Sequence, residues 1–140
     1  MLLTFRCQRI KTFSHLISTS FFIFIFLTGT SQSYSQTLLD NFEMINNWKI
    51  YKSDGAEAAI SSDKGYDGNA IKFDYNFTKG TGYAGIQKII PMNLPENYQF
   101  TFYIKAESPA NNLEFKLLDS TGQNVWWVIK RNFTFPTEWT

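Results

Sequence analysis

Trp126, Trp127, Tyr83 and Tyr103, together with Gln87, Glu114, Lys116 and Arg131, are the residues whose types and spacing could do chemistry. Indole and phenol rings offer a flat apolar body with a polar tip, which suits the C–H face of a pyranose ring. Carboxylate, amide and cation can then fix its hydroxyls. That chemistry is recognition rather than bond-breaking. Glycoside hydrolysis needs two carboxylates at a set separation, and Asp74 with Glu114 could be nominated. Yet 12 acidic residues in a chain of 140 supply such pairs by chance, so no catalytic residue is expected within this chain. The one histidine, His15, and the one cysteine, Cys7, lie in a stretch expected to be removed, which excludes a histidine-centred triad, a histidine-bound zinc and thiol chemistry.

Strands must position these side chains. Phe100, Phe102 and Ile104 alternate with Gln99, Thr101, Tyr103 and Lys105, and Leu113, Phe115 and Leu117 alternate with Glu114 and Lys116. A period of two marks strands with one face buried. The reading is three antiparallel strands over residues 98–105, 112–119 and 124–131, forming one central sheet, with a hairpin turn at 120–123. Tyr103, Glu114 and Lys116 then share the outward face, with Tyr83 and Gln87 on the strand before. Adjacent residues of a strand point to opposite faces, so one of Trp126 and Trp127 is expected in the core and one outward. Periodicity leaves both choices open. Trp127 with Arg131 is favoured, because a planar guanidinium forks well onto paired hydroxyls. Ordinary packing explains any single ring equally well.

Residues 1–35 read as an export signal. Arg6, Arg9 and Lys11 form a positive region, 16–27 is apolar, and Ser33, Tyr34 and Ser35 put small residues at the positions that matter before Gln36. The apolar run falls short of the roughly 20 residues a membrane span needs. The protein is therefore expected to be secreted or periplasmic, with no membrane contact after signal removal. Three of the 13 basic residues go with the leader while all 12 acidic ones stay, tipping the balance from one positive to two negative charges. Without a basic run there is no electrostatic footprint for nucleic acid.

Residues 36–140 read as one domain. Short strands are expected at 38–43, 48–51, 56–62, 70–77 and 83–92, punctuated by turns at 63–69 and 79–82 and by Pro91 and Pro95. Glu138, Trp139 and Thr140 read as the start of a further strand. Even spacing of strands and the absence of helical periodicity describe an all-β sandwich or barrel. Asn76-Phe77-Thr78 and Asn132-Phe133-Thr134 match the N-glycosylation sequon.

Leu38-Leu39-Asp40-Asn41-Phe42-Glu43 followed by Trp48, then Gly68-Asn69-Ala70-Ile71-Lys72-Phe73-Asp74-Tyr75, Gly82-Tyr83-Ala84-Gly85-Ile86-Gln87-Lys88, and the strands with Phe100–Ile104 and the two tryptophans resemble a known family. They are similar to the galactose-binding-like jelly-roll modules of secreted bacterial carbohydrate-active enzymes. The family-eleven type of carbohydrate-binding module and its relatives are closest. Such modules often sit N-terminal to a discoidin (coagulation factor 5/8 type) domain and a glycoside hydrolase domain. The resemblance implies a jelly-roll β-sandwich, binding of a polysaccharide or oligosaccharide, and a structural calcium ion.

Hard oxygen ligands for calcium would come from Glu43, Asp63 and Asp67, with carbonyls of the glycine-containing turn. In the family a last strand follows the position of Glu138 and Trp139, returns beside the first, and often ends in an acidic calcium ligand. That strand is missing here, so the sandwich is expected to be C-terminally incomplete, and a discoidin or hydrolase domain is expected downstream. The expected function is a non-catalytic carbohydrate-binding module. The alternative is a structural or protein-interaction module whose outward rings pack against a neighbouring domain.

Overall fold

The structure, a computed structural model, describes residues 2–8 as backbone and residues 36–140 in full. Among the described residues the chain is all-β, with no helix. Its strands are β1 (Leu2–Gln8), β2 (Gln36–Asp40), β3 (Lys49–Lys52), β4 (Ala56–Lys64), β5 (Asn69–Phe77), β6 (Ala84–Gln87), β7 (Gln99–Lys105), β8 (Asn111–Leu118) and β9 (Val125–Phe133). Every strand pair is antiparallel.

The most regular unit is the β4–β5 hairpin, paired from Ala56 opposite Phe77 to Lys64 opposite Asn69. Alternation explains it: Ile71 and Phe73 are buried while Asp74 is exposed. Its turn closes with a bond from the Gly65 N–H to the Gly68 carbonyl, 2.9 Å, and Gly68 takes φ +70°.

Five strands form one sheet in the order β2-β1-β5-β4, with β7 on the remaining edge of β1. Two further sheets have two strands each, β3–β6 and β8–β9. The single central sheet expected over residues 98–131 is thus split: β7 belongs to the five-stranded sheet and β8 to the hairpin. The connection between them, which includes Pro109, pairs its first residue elsewhere, the Ala106 N–H donating to the Pro136 carbonyl at 2.7 Å. The hairpin instead meets β7 face to face, with the Phe115 ring 5.3 Å from Phe100 and 6.2 Å from Phe102.

Other boundaries move for local reasons. The strand expected over 38–43 stops at Asp40, because Phe42 adopts φ +59° and turns the chain. The strand expected over 83–92 shrinks to Ala84–Gln87 ahead of Pro91 and Pro95. Thr140 exchanges two backbone bonds with Ile104, 2.9 and 3.1 Å.

The core gathers Phe42, Trp48, Ile71, Ile104, Ala106 and Phe135, with Ile60, Ile86 and Phe102 packed against it. Phe42 and Ile71 are fully buried. One charged group joins them. Asp40, buried at 7 % exposure, accepts from the Phe42 N–H (2.8 Å), the Trp48 indole N–H (2.9 Å) and the Lys88 ammonium (2.6 Å).

Leu2–Gln8 belongs to the segment read as a leader; residues 9–35, with its apolar run, His15 and the cleavage residues, lie outside the described residues. Along one edge β1 pairs β7 over all seven of its residues. Along the other it is shared between β5, at Ile71 and Lys72, and β2, from Gln36 to Asp40. No other described strand pairs β2.

Two predictions follow from these pairings. Asp40→Ala is expected to cost about 2–4 kcal/mol in denaturant unfolding, since it strands a part-buried ammonium and a buried indole N–H. A change under about 1 kcal/mol would show that the carboxylate is not the organising partner. A chain beginning at Gln36 is expected to melt about 10 °C or more below the full chain, because β2 and β7 both lose β1. Equal melting temperatures would show that β1 adds nothing to the fold.

Candidate functional site

The site is built from the outer faces of the two small sheets. In β3 and β6, Ile50 lies opposite Ile86, and Ile86 packs on the core, so Tyr51 with its partner Gly85, and Lys49 with Gln87, face outward. The Tyr51 ring lies flat across Gly85: a Cβ built there would meet Tyr51 Cζ and Oη at 2.5 Å, so this strand position accepts only glycine while the ring stays in place. Tyr83, just before β6, brings its ring to 6.1 Å from Tyr51. Two bonds hold it there, one to a hydroxyl and one between backbones: the Tyr83 N–H donates to Ser53 Oγ at 3.1 Å and the Ser53 N–H to the Tyr83 carbonyl at 2.9 Å. Tyr51 is 37 % and Tyr83 59 % exposed.

The other half comes from the hairpin. Phe115 faces inward, so Glu114 and Lys116 face outward, and Lys116 stands opposite Trp127. The Lys116 ammonium sits 2.7 Å from the Glu114 carboxylate and 4.4 Å from the centre of the Trp127 ring. Its pKa is raised above the usual 10.5, first by the hydrogen bond to Glu114; burial opposes this, and the Glu114 charge and the phenols of Tyr51 and Tyr83 add to it. Those phenols therefore stand within electrostatic reach of the ammonium. The result is an open platform of three rings, Tyr51, Tyr83 and Trp127, around one paired cation.

Of the residues expected from sequence, Tyr83, Gln87, Glu114, Lys116 and Trp127 come to this side. Tyr103 does not. It lies on the far face of β7, because Phe102 points inward to Phe115, and there it stacks on Tyr66 at 4.0 Å with planes 9° apart. Arg131 is also separate: it sits at the bulge where Asn111 opposes Phe133 and Leu113 opposes Lys130, four residues from Trp127, roughly 13 Å along a strand. Trp126 overturns the expectation of one core tryptophan, since both indoles are 55 % exposed. They do point to opposite faces, Trp126 opposing Leu117 and Trp127 opposing Lys116. Toward the turn, however, coverage of the inner face runs out, and Val128, on the same face opposite Phe115, is exposed as well. Sequence reasoning missed Tyr51. Its alternation with Ile50 carried the signal.

The residues expected to hold calcium are only partly brought together. Glu43 reaches the 63–69 turn, accepting the Asn69 N–H at 3.2 Å and the Asn69 side-chain amide at 2.7 Å. A Cβ on Gly68 would lie 2.7 Å from its Oε1, so the glycine makes room for the carboxylate. Asp63 instead accepts the N–H of Lys64, 2.7 Å. Among the described residues no three carboxylates, with Asp67 or otherwise, gather into a metal cluster. As arranged, each Glu43 oxygen accepts from an Asn69 donor, a hydrogen-bonded clasp onto the 63–69 turn.

The turn that presents the tryptophans is built on Asp119. Its carboxylate accepts the Thr121 N–H at 3.1 Å, the Thr121 hydroxyl at 2.8 Å and the Asn124 side-chain amide at 2.6 Å. No family model, no curated protein and no solved structure matches the chain.

The bond from Asn124, then that from Thr121, pulls the Asp119 pKa from 3.8 down to about 2. A depressed pKa contributes stability that is present above pH 3.8 and lost as pH falls through about 2. The hairpin tip is therefore expected to loosen between pH 4 and pH 2, read as a step in the Trp126 and Trp127 indole resonances. Asp119→Asn is expected to abolish that step, and its persistence would place the titration elsewhere.

Proposed function

We propose that this chain is a non-catalytic glycan-binding module of jelly-roll type, which brings an attached or downstream polysaccharide-degrading activity to its substrate. The observation that carries the reading is the grouping of exposed rings about one ion pair: Lys116, paired with Glu114, lies over Trp127 and is within electrostatic reach of the exposed Tyr51 and Tyr83. Rings of this kind suit the apolar faces of successive sugar units, and a paired ammonium and carboxylate suit hydroxyls, which both donate and accept. An open platform favours an extended chain over a single enclosed sugar. Asp74, offered above as half of a catalytic pair, is ion-paired with Lys72 at 3.3 Å, and Glu114 with Lys116. That engagement favours binding over hydrolysis.

A second reading has its own support. Trp126 and Val128 share the inner face of the hairpin and are 55 % and 61 % exposed, an apolar surface of the kind that packs against a neighbouring domain.

Affinity electrophoresis and calorimetry of the full chain against β-glucan, xylan and pectin separate the two. Binding to at least one polymer is expected, with Trp127→Ala and Tyr83→Ala each weakening it about tenfold or more. A folded chain that binds none of them would defeat the glycan reading and leave the interaction module.

A further inference from the structure

A groove lined by none of the platform rings joins β5 to the connection between β7 and β8. β4 pairs one edge of β5 as far as Phe77, whereas on the other edge β1 reaches Ile71 and Lys72. Beyond Lys72, β5 runs beside residues 106–111, and the space between them is a groove of about 370 Å³. That volume lies within the range of small-molecule sites.

Its floor is aromatic. Phe73, Tyr75 and Phe77 project from one face of β5 with ring centres 5.5 Å apart at each step. The Tyr75 hydroxyl is bonded to Ser108 Oγ at 2.7 Å, which ties the floor to the opposite wall. Ser108 Oγ also stands 3.1 Å from the Pro109 carbonyl, and these contacts fix the Tyr75 ring before any ligand arrives.

The rim on the 106–111 side is polar. Glu107 and Asn111 line it, while Asp74 and Asn76 alternate to the other face of β5, where Asp74 is ion-paired with Lys72 at 3.3 Å. Asn111 Oδ1 already accepts the Asn112 N–H at 2.8 Å, which leaves its amide hydrogens to donate. An apolar ring floor beneath carboxylate and amide groups matches a ligand with C–H faces and O–H edges. The Glu107 carboxylate repels an anionic one. The platform differs, since it carries the Lys116 ammonium.

We infer that the groove between β5 and residues 106–111 is a second saccharide subsite, selective for a neutral sugar. This rests on the glycan-binding reading above.

The test is an amide-resolved NMR titration of the full chain with cellobiose, xylobiose and mannobiose, and with digalacturonic acid as the anionic control. At least one neutral disaccharide is expected to shift the amides of residues 73–77 and 106–111 while digalacturonic acid does not. Glu107→Gln, at an exposed position, is expected to weaken that binding about threefold or more. Shifts confined to Tyr83, Lys116 and Trp127 would overturn the groove and leave the platform standing. Equal shifts with digalacturonic acid would overturn the selectivity for neutral sugars. No shift at either place would overturn both.

Discussion

A carboxylate removed from water must be surrounded by donors, and Asp40 meets that demand by drawing three separate pieces of chain onto itself. The Phe42 N–H comes from the turn after β2, the Trp48 indole from the start of β3, and the Lys88 ammonium from the residue after β6. Each bond is charge-assisted, and none is replaceable by an apolar contact without leaving a partner unsatisfied. The first also holds Phe42 at φ +59°, a conformation that a bulky residue rarely takes, and drives its ring into the core at 5.5 Å from Trp48. Glu43, one residue on, clasps Asn69 at the far turn. Four consecutive residues thus link β2, β3, β6 and the β4–β5 hairpin.

The platform inherits its placement from that linkage. Trp48 and Lys88 flank β3 and β6 at the core side, so the outer face of this short sheet is free to carry Tyr51 over Gly85. The hairpin of β8 and β9 is anchored by different means, Phe115 against Phe100 and Phe102. Two independent supports therefore hold the two halves of one surface. Lys116, ion-paired to Glu114 and lying over Trp127, stands where the halves face each other.

Much of the strand content was legible because alternation reports which residues share a face. Ile71 and Phe73, Phe102 and Ile104, and Leu113 and Phe115 all point inward as their spacing implies. Spacing does not report which sheet a strand joins. Residues 98–131 read as one sheet, yet the chain changes layers after Lys105, which separates Tyr103 from Glu114 and Lys116. Nor does it report coverage: Trp126 points to the inner face and is exposed all the same. The left-handed Phe42 escaped notice because such turns are sought at glycine and asparagine. The Asp40 network joins residues 48 positions apart, beyond the reach of any local pattern.

Strand β9 places Val125, Trp126, Trp127, Val128 and Ile129 in succession, uncharged, with little cover on either face and with one edge of its two-stranded sheet unpaired among the described residues. A run of this composition is a template for intermolecular cross-β stacking. Lys130 and Arg131 follow at once and act as gatekeepers, opposing self-association through like-charge repulsion. Colloidal behaviour therefore hangs on two cations that do little for the fold itself, and raised ionic strength, by screening them, pushes the folded protein toward clumping without unfolding it.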